Sequence, residues 1–165
     1  LNKNSDPSEM PQTAIGQGDT LITPLENALI MSTIANGGVM MKPMLVTAVL
    51  DSEKEEVNEY APSVLKEVMT SKEAQTMTDL LTDVVESGTA SALSGLRHSY
   101  AGKTGSAENS EGSKTHAWFI AFSPTDNPKL VVSVIVENVG GGSTYAVPVA
   151  QAVYQAYYDK YEYNK

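Results

Sequence analysis

The chain has 165 residues, the length of about one domain, and 41% of them are apolar, a composition typical of globular proteins. Its formal net charge of −9 argues against nucleic acid as a partner, because neutralising phosphates requires Lys and Arg, and against docking on an anionic lipid surface. The absence of cysteine excludes disulfide frameworks, cysteine-based zinc sites and cysteine nucleophiles.

The first predicted helix begins after a polar stretch. Residues 1–12 contain two prolines and are predicted to be irregular. Thr23 and Glu26 have the spacing of a capping box, and Pro24 suits the first helical position, so a helix should begin there and end at Asn36. Its sequence is apolar on nearly every side, and we therefore expect it to be buried.

A hairpin and a second helix are predicted next. Residues 42–51 and 55–60 have strand character, and the acidic residues between and around them are interpreted as a solvated hairpin tip rather than a recognition patch. Thr70 and Glu73 form a second capping box. Apolar residues then recur at helical spacing until Gly88, which predicts an amphipathic helix.

Three strands and a final helix complete the prediction. The strands span 100–108, 117–122 and 130–136, and their short connections require antiparallel neighbours. The last two are continuous apolar runs, so both faces of the sheet should be covered. The helix, over 144–158, should pack on the sheet through a face listed here: Val149, Ala150, Val153 and Tyr157. The fold class is therefore α/β, an antiparallel sheet covered by helices.

The most informative motif is Lys103-Thr104-Gly105 on the first of these strands. Glycine within a strand often marks the close approach of another backbone or a ligand. An extended peptide could add to this strand, with the Thr104 hydroxyl and the Lys103 ammonium holding a carboxylate. A charge-assisted hydrogen bond of this kind contributes ~1.5–3 kcal/mol. The triplet alone favours an ordinary edge strand with a bulge glycine, and only its context favours a site.

That context resembles the class B penicillin-binding proteins, in which Lys-Thr-Gly is the third signature motif. Five segments of the sequence resemble the family in order and spacing, which is far more specific than one triplet. They are Ala14–Gly18 with Thr23–Leu25, Asn36–Gly38 with Lys42–Pro43, Val84–Ala90, Lys103–Gly105, and Glu137–Asn138 with Gly140–Gly142.

The resemblance implies a D,D-transpeptidase of peptidoglycan. In this family a serine of a Ser-x-x-Lys motif attacks the D-Ala-D-Ala bond of a stem peptide, and β-lactams trap that serine. Lys103 would set the local positive field, Thr104 would bind the terminal carboxylate, Gly105 would leave room for the acyl group, and the backbone N–H of Ser106 would be half of the oxyanion hole. A β-lactam sensor domain and a non-catalytic scaffold remain as alternatives.

Two of the three family motifs are not found at their expected places. No Ser-x-Asn occurs, and the single Ser-x-x-Lys, Ser63 to Lys66, follows the Gly16-Gln17-Gly18 segment, whereas the family's motif precedes it. We therefore interpret Ser63 as a surface residue and expect the nucleophile to lie outside this chain. The chain is then expected to be the C-terminal part of a single transpeptidase domain, and the sequence does not begin with Met.

The remaining expectations concern partners and place. The resemblance implies peptidoglycan stem peptides and β-lactams as partners, no cofactor, and a parent anchored at the extracytoplasmic face of a bacterial membrane. No group of His, Asp and Glu has the spacing of metal ligands, and His116 is expected to start a strand and fix a loop, while His98 should be exposed. In the family, strand 130–136 has a neighbour contributed from upstream, so we expect its edge to pair with the missing part or with a second copy.

Overall fold

The computed structural model describes residues 9–18, 20–109 and 112–162. Four α-helices, one 3₁₀ turn and seven strands form in this part of the chain. In order they are α1 Glu9–Ala14, α2 Pro24–Ala35, β1 Val39–Met41, β2 Ala48–Leu50, β3 Glu56–Glu59, β4 Val64–Glu67, α3 Ser71–Glu86, the 3₁₀ turn Ser91–Leu93, β5 Ala101–Ala107, β6 His116–Ser123, β7 Leu130–Val136 and α4 Gly142–Glu162.

The central feature is an antiparallel sheet of three strands in the order β5-β6-β7. The turns between these strands are too short for a crossover, which dictates the antiparallel pairing that the sequence predicted. Two smaller antiparallel pairs, β1 with β4 and β2 with β3, stand apart from it. The fold class is α/β, as expected.

Helices cover both faces of the central sheet. On one face, α4 packs against Phe119 and its neighbours. On the other face, α2 places Met31 and Ile34 against Phe122. Because side chains alternate along a strand, Phe119 and Phe122 lie on opposite faces, and the continuous apolar sequence of β6 serves both. Helix α3 contacts β5 and contributes side chains to both cores.

Both predicted capping boxes are present. The Thr23 hydroxyl accepts the N–H of Glu26 at 3.1 Å, and the Glu26 carboxylate accepts the N–H of Thr23 at 2.8 Å. Thr70 and Glu73 repeat the arrangement at the start of α3. These hydrogen bonds stabilise the ionised carboxylates, first through the threonine backbone N–H, and so lower the pKa of both glutamates.

The predicted packing face of α4 is half right. Ala150 is buried and Tyr157 packs against the same core, as predicted, but Val149 and Val153 are exposed by 45% and 43%. Tyr154 and Tyr158, which the prediction omitted, are buried instead. Burying Tyr158 is favourable because its hydroxyl donates to the Ser123 hydroxyl at 2.7 Å, which leaves no unpaired polar group there. Burial raises the pKa of the Tyr154 hydroxyl well above its ordinary value.

Three other predictions need correction. The stretch predicted to be irregular, residues 1–12, is helical from Glu9 onward, and residues 1–8 lie outside the described residues. Pro11 is compatible with this helix because it stands in the first turn, where its missing N–H is not required. The predicted hairpin forms as β2 with β3, but its strands are shorter than predicted. The additional pair of β1 with β4 was not predicted, because it is a non-local pairing that the local sequence does not reveal. Helix α2 is buried on one side only, and Leu25 remains 61% exposed.

The acidic hairpin tip agrees with its interpretation. Asp51 accepts backbone N–H groups of the turn through its side chain, and the residues from 51 to 59 are exposed. Among the helices of the described residues, none combines the length and apolar character that crossing a bilayer requires.

Candidate active site

The motif Lys103-Thr104-Gly105 lies on β5, at one edge of the central sheet. β5 pairs with β6 in a regular register, with Lys103 opposite Ile120 and Gly105 opposite Trp118. Within the described part of the chain β5 has no second neighbouring strand. We call the side of β5 that faces away from β6 its free edge. The sequence prediction of an accessible strand edge at this motif therefore agrees with the structure.

Glycines permit the close packing around this strand. A Cβ atom at Gly102 would lie 2.8 Å from the Cβ of Ala121 and 2.9 Å from the Cζ of Phe119. A Cβ at Gly142, in the first turn of α4, would lie 2.6 Å from the carbonyl oxygen of Gly105. The start of α4 can therefore approach β5 only because it carries no side chain at that position.

The backbone groups that face the free edge can be identified from their partners. The Thr104 carbonyl accepts from the Lys103 ammonium at 2.8 Å, and the Ser106 carbonyl accepts from the Gln17 side-chain amide at 3.2 Å. The N–H and C=O of one strand residue point to the same side, so the even-numbered residues here face away from β6. The N–H of Ser106 therefore faces the free edge, where a ligand could accept its hydrogen bond.

The side chains of the motif add a hydroxyl and a positive charge to this edge. Thr104 is half-buried, and its hydroxyl lies 2.6 Å from the hydroxyl of Thr89. Lys103 and Ser106 are exposed. These four consecutive residues thus present an ammonium and an outward N–H, which are donors suited to a carboxylate and to a developing oxyanion. The Thr104 hydroxyl can also donate to a ligand when the Thr89 hydroxyl is the donor in the bond between them.

Ser63 lies outside this arrangement. It immediately precedes β4, and among the described elements β4 contacts only β1. Side chains three positions apart in an extended segment point to opposite faces, so Lys66 is not oriented to activate Ser63. In the described part of the chain the Ser-x-x-Lys sequence is therefore neither helical nor close to β5, in agreement with its interpretation as a surface residue.

The two histidines have structural partners. His116 begins β6, and its Nδ1 accepts the backbone N–H of Asn138 at 3.1 Å, so it fixes the loop after β7 as predicted. The expectation for His98 is wrong, because its ring is only partly exposed and stacks on Tyr158 with the ring centres 3.7 Å apart. A lone histidine in a polar stretch gave no indication of this aromatic contact.

Two residues that contact the site were not singled out by sequence reasoning. The carboxamide of Gln17 bonds the Ser106 carbonyl of β5 and the N–H of Glu108, the residue that follows β5, and Thr89 bonds the hydroxyl of Thr104. Both lie in segments that carry the family resemblance, Ala14–Gly18 and Val84–Ala90. A polar residue between two glycines was the available signal for Gln17.

Comparison with known proteins identifies the family of the chain. Residues 2–155 match the family model of the penicillin binding protein transpeptidase domain. The peptidoglycan D,D-transpeptidase PbpA of Mycolicibacterium smegmatis is 32% identical over 160 residues, which cover 92% of this chain and 32% of that protein. Peptidoglycan D,D-transpeptidase MrdA of Haemophilus influenzae is 34% identical, over 87% of this chain and 25% of its own length.

Solved structures agree in fold. The ceftriaxone acyl-enzyme complex of penicillin-binding protein A from M. tuberculosis superposes with a TM-score of 0.87 at 32% identity, covering 94% of this chain and 36% of that one. The chain thus spans about a third of the length of PbpA and a quarter of the length of MrdA.

Proposed function

Because this chain belongs to the penicillin-binding protein transpeptidase family, we propose that it is the C-terminal part of a serine transpeptidase domain that binds the carboxylate end of a peptide donor at residues 103–106 of the free edge of β5. The observation that supports this most directly is the outward N–H of Ser106 beside Lys103 and Thr104. Relatives named as D,D-transpeptidases favour an enzyme over the sensor and scaffold alternatives.

In the proposed reaction a serine oxygen attacks the carbonyl carbon between the two D-Ala residues of a stem peptide. The serine proton passes to a base, which then delivers a proton to the amide nitrogen, so that the C–N bond breaks and the terminal D-Ala leaves as an amine. An amine of a second stem peptide then attacks the acyl-serine ester, forms the new amide and releases the serine. A β-lactam would react at the first step and remain attached.

The residues of β5 would act at the first step. Thr104 and Lys103 would hold the terminal carboxylate of the donor, and Gly105 would leave space beside the acyl group. The Ser106 N–H would donate to the carbonyl oxygen as it gains negative charge. One such donor typically contributes ~2.7–4 kcal/mol to the barrier reduction.

The nucleophile is proposed to come from another part of the parent protein. The sequence contains no Ser-x-Asn, and its one Ser-x-x-Lys is remote from β5 in the fold. On this proposal, residues 1–165 form one portion of a domain that acts on peptidoglycan outside the cytoplasm, in a parent anchored at the cell membrane.

The edge of β7 supports the same proposal. β7 is the last strand of the described central sheet, and its outer backbone groups have no described strand beside them. An unpaired apolar edge favours pairing with another strand. We propose that the upstream part of the domain, or a second copy of the chain, pairs there. A dilute, monodisperse monomer in size-exclusion chromatography of the isolated chain would contradict this.

The test is intact-protein mass spectrometry after exposure to a penicillin. The full-length parent should gain the mass of one drug molecule, and the isolated chain should gain none. In the parent, Thr104→Val removes the hydroxyl at nearly constant volume and, at drug concentrations below saturation, should slow acylation by roughly 10-fold to 150-fold, the equivalent of a charge-assisted hydrogen bond. Covalent labelling of the isolated chain, or an unlabelled parent, would overturn the proposal. Acylation without turnover of stem peptides would identify a sensor instead.

A further inference from the structure

The free edge of β5 is partly occupied by the side chain of Gln17. Its Nε2 donates to the Ser106 carbonyl at 3.2 Å, and its Oε1 accepts the N–H of Glu108 at 3.3 Å. One carboxamide therefore satisfies an acceptor and a donor that a neighbouring strand would otherwise bind. These hydrogen bonds join residues 89 and 91 positions apart in the sequence.

The backbone around Gln17 holds this side chain in place. Gly16 and Gly18 have φ values of +76° and +70°, in the left-handed region that favours glycine. The Gln17 N–H donates to the carbonyl of Gln12 at 2.9 Å, which anchors the turn to α1. Gln17 is half-buried, whereas both glycines are exposed. The Gly-Gln-Gly sequence thus forms a turn that presents one carboxamide to β5.

We propose that Gln17 is a positioning residue for the Ser106 N–H. The proposal rests on the proposed function, in which that N–H stabilises the oxyanion. No described strand lies along the free edge of β5, so no neighbouring strand fixes the orientation of the peptide groups there. Gln17 bonds the Ser106 carbonyl and the Glu108 N–H, which are the next two outward backbone groups after the Ser106 N–H. These bonds restrict rotation of the Ser106 backbone. A hydrogen-bond donor that is already oriented before the reaction does not have to reorient in the transition state.

The reaction step at which Gln17 acts can be predicted. On the proposed function, Lys103 and Thr104 bind the terminal carboxylate of the peptide donor. The side-chain hydrogen bonds of Gln17 go to the backbone of Ser106 and Glu108 instead. Loss of Gln17 should therefore leave the noncovalent affinity for a penicillin nearly unchanged and slow the acylation step. The two hydrogen bonds of Gln17 orient the Ser106 N–H, and this N–H is still present when they are lost. We therefore expect a loss of about tenfold in the limiting acylation rate.

The experiment uses the full-length parent and a fluorescent penicillin. Rates are measured over a range of drug concentrations, which separates the limiting acylation rate from the dissociation constant of the noncovalent complex. Gln17→Ala should lower the limiting rate about tenfold and change the dissociation constant less than about twofold. The matched control is Gln155→Ala, which removes an exposed glutamine bonded only within α4 to Asp159 and should leave both quantities unchanged.

Gln17→Glu gives a second, pH-dependent test. Its carboxylate can still accept from the Glu108 N–H, but it cannot donate to the Ser106 carbonyl. When protonated, the carboxyl group can donate again. The acylation rate relative to wild type should therefore recover as the pH falls toward about 4.3, the ordinary pKa of glutamate. A role in stability alone would shift the melting temperature and would not produce this recovery.

The outcomes separate the two proposals. A wild-type parent that is not acylated would overturn the proposed function and this inference with it. Wild-type acylation with an unchanged limiting rate in Gln17→Ala would overturn the inference alone. A fall in rate matched by weaker noncovalent binding, or a Gln17→Glu defect that does not change with pH, would also overturn it. If Gln17→Ala fails to fold, the pH profile of Gln17→Glu decides.

Discussion

Two glycines on β5 should respond differently to the same substitution. Gly102 is buried, and an added Cβ would lie 2.8 Å from the Cβ of Ala121 and 2.9 Å from both the Ile120 carbonyl oxygen and the Phe119 ring. At Gly105 the nearest atom would be the Cβ of Trp118, at 3.3 Å. The first site is overpacked on three sides, while the second requires a shift of only a few tenths of an ångström.

These distances set the expected magnitudes. Gly102→Ala should destabilise the folded protein by about 1–3 kcal/mol, because the backbone carbonyl of Ile120 belongs to the middle strand and cannot move away. Gly105→Ala should cost about 1 kcal/mol or less, since its site is half-exposed. If Gly105 leaves room for the acyl group, however, the same substitution should slow acylation, while correctly folded Gly102→Ala should be acylated nearly as fast as wild type.

The assay combines denaturant unfolding of the full-length parent with acylation by a fluorescent penicillin. Both variants and wild type are compared at a temperature where all three are folded. The reasoning would be refuted by the reverse order, with Gly105→Ala the less stable protein and Gly102→Ala the slower enzyme. Equal effects on both quantities would show that the strand responds as one unit, and the assignment of space to Gly105 would fail.

Three further predictions follow from the described contacts. Ser63→Ala in the parent should leave penicillin acylation unchanged, and a loss of labelling would show that Ser63 takes part in the chemistry. Tyr158→Phe removes the donor to Ser123 while Ser123 keeps its bond to the Ser99 carbonyl, so the free energy of unfolding should fall by about 1 kcal/mol in a denaturant titration. The pKa of Glu73 is lowered by its cap, so its contribution to stability is present at neutral pH and is lost as the pH falls through that lowered pKa. The stability difference between wild type and Glu73→Gln should therefore shrink below pH 4.5, as measured by thermal unfolding across pH, and a difference independent of pH would contradict it.

Local signals in the sequence predicted most of the fold. Each capping box needs residues only three positions apart, and both helices begin where those residues stand. Strand β7 was predicted with its observed ends, 130 and 136, because a continuous apolar run between turn residues is also a local pattern. The position of Lys103 to Gly105 at a sheet edge followed from the same reasoning together with the family resemblance.

The errors arose where tertiary contacts decide the outcome. Tyr158 lies in the core because Ser123, 35 positions away, accepts its hydrogen bond, and no pattern within α4 contains that information. The pairing of β1 with β4 joins two short segments across the intervening hairpin, which local strand propensity cannot specify. Helix α2 was expected to be buried from its composition, but composition does not say what is present to cover Leu25.

The site itself shows why a short motif is a necessary but insufficient sign of activity. The donors of β5 lie on four consecutive residues, yet their orientation depends on distant groups: Thr89 contacts the Thr104 hydroxyl, Gln17 holds the strand backbone, and Gly142 allows α4 to pack against it. A scaffold could keep Lys-Thr-Gly after losing these supports, because the triplet alone fits any edge strand. Contacts of this kind also stabilise the fold, so their presence alone does not separate an enzyme from a scaffold. Catalysis by electrostatic stabilisation requires donors that are already oriented. On the proposed function, the contacts of Thr89 and Gln17 would supply that orientation, which is why the acylation rate and not stability is the quantity to measure.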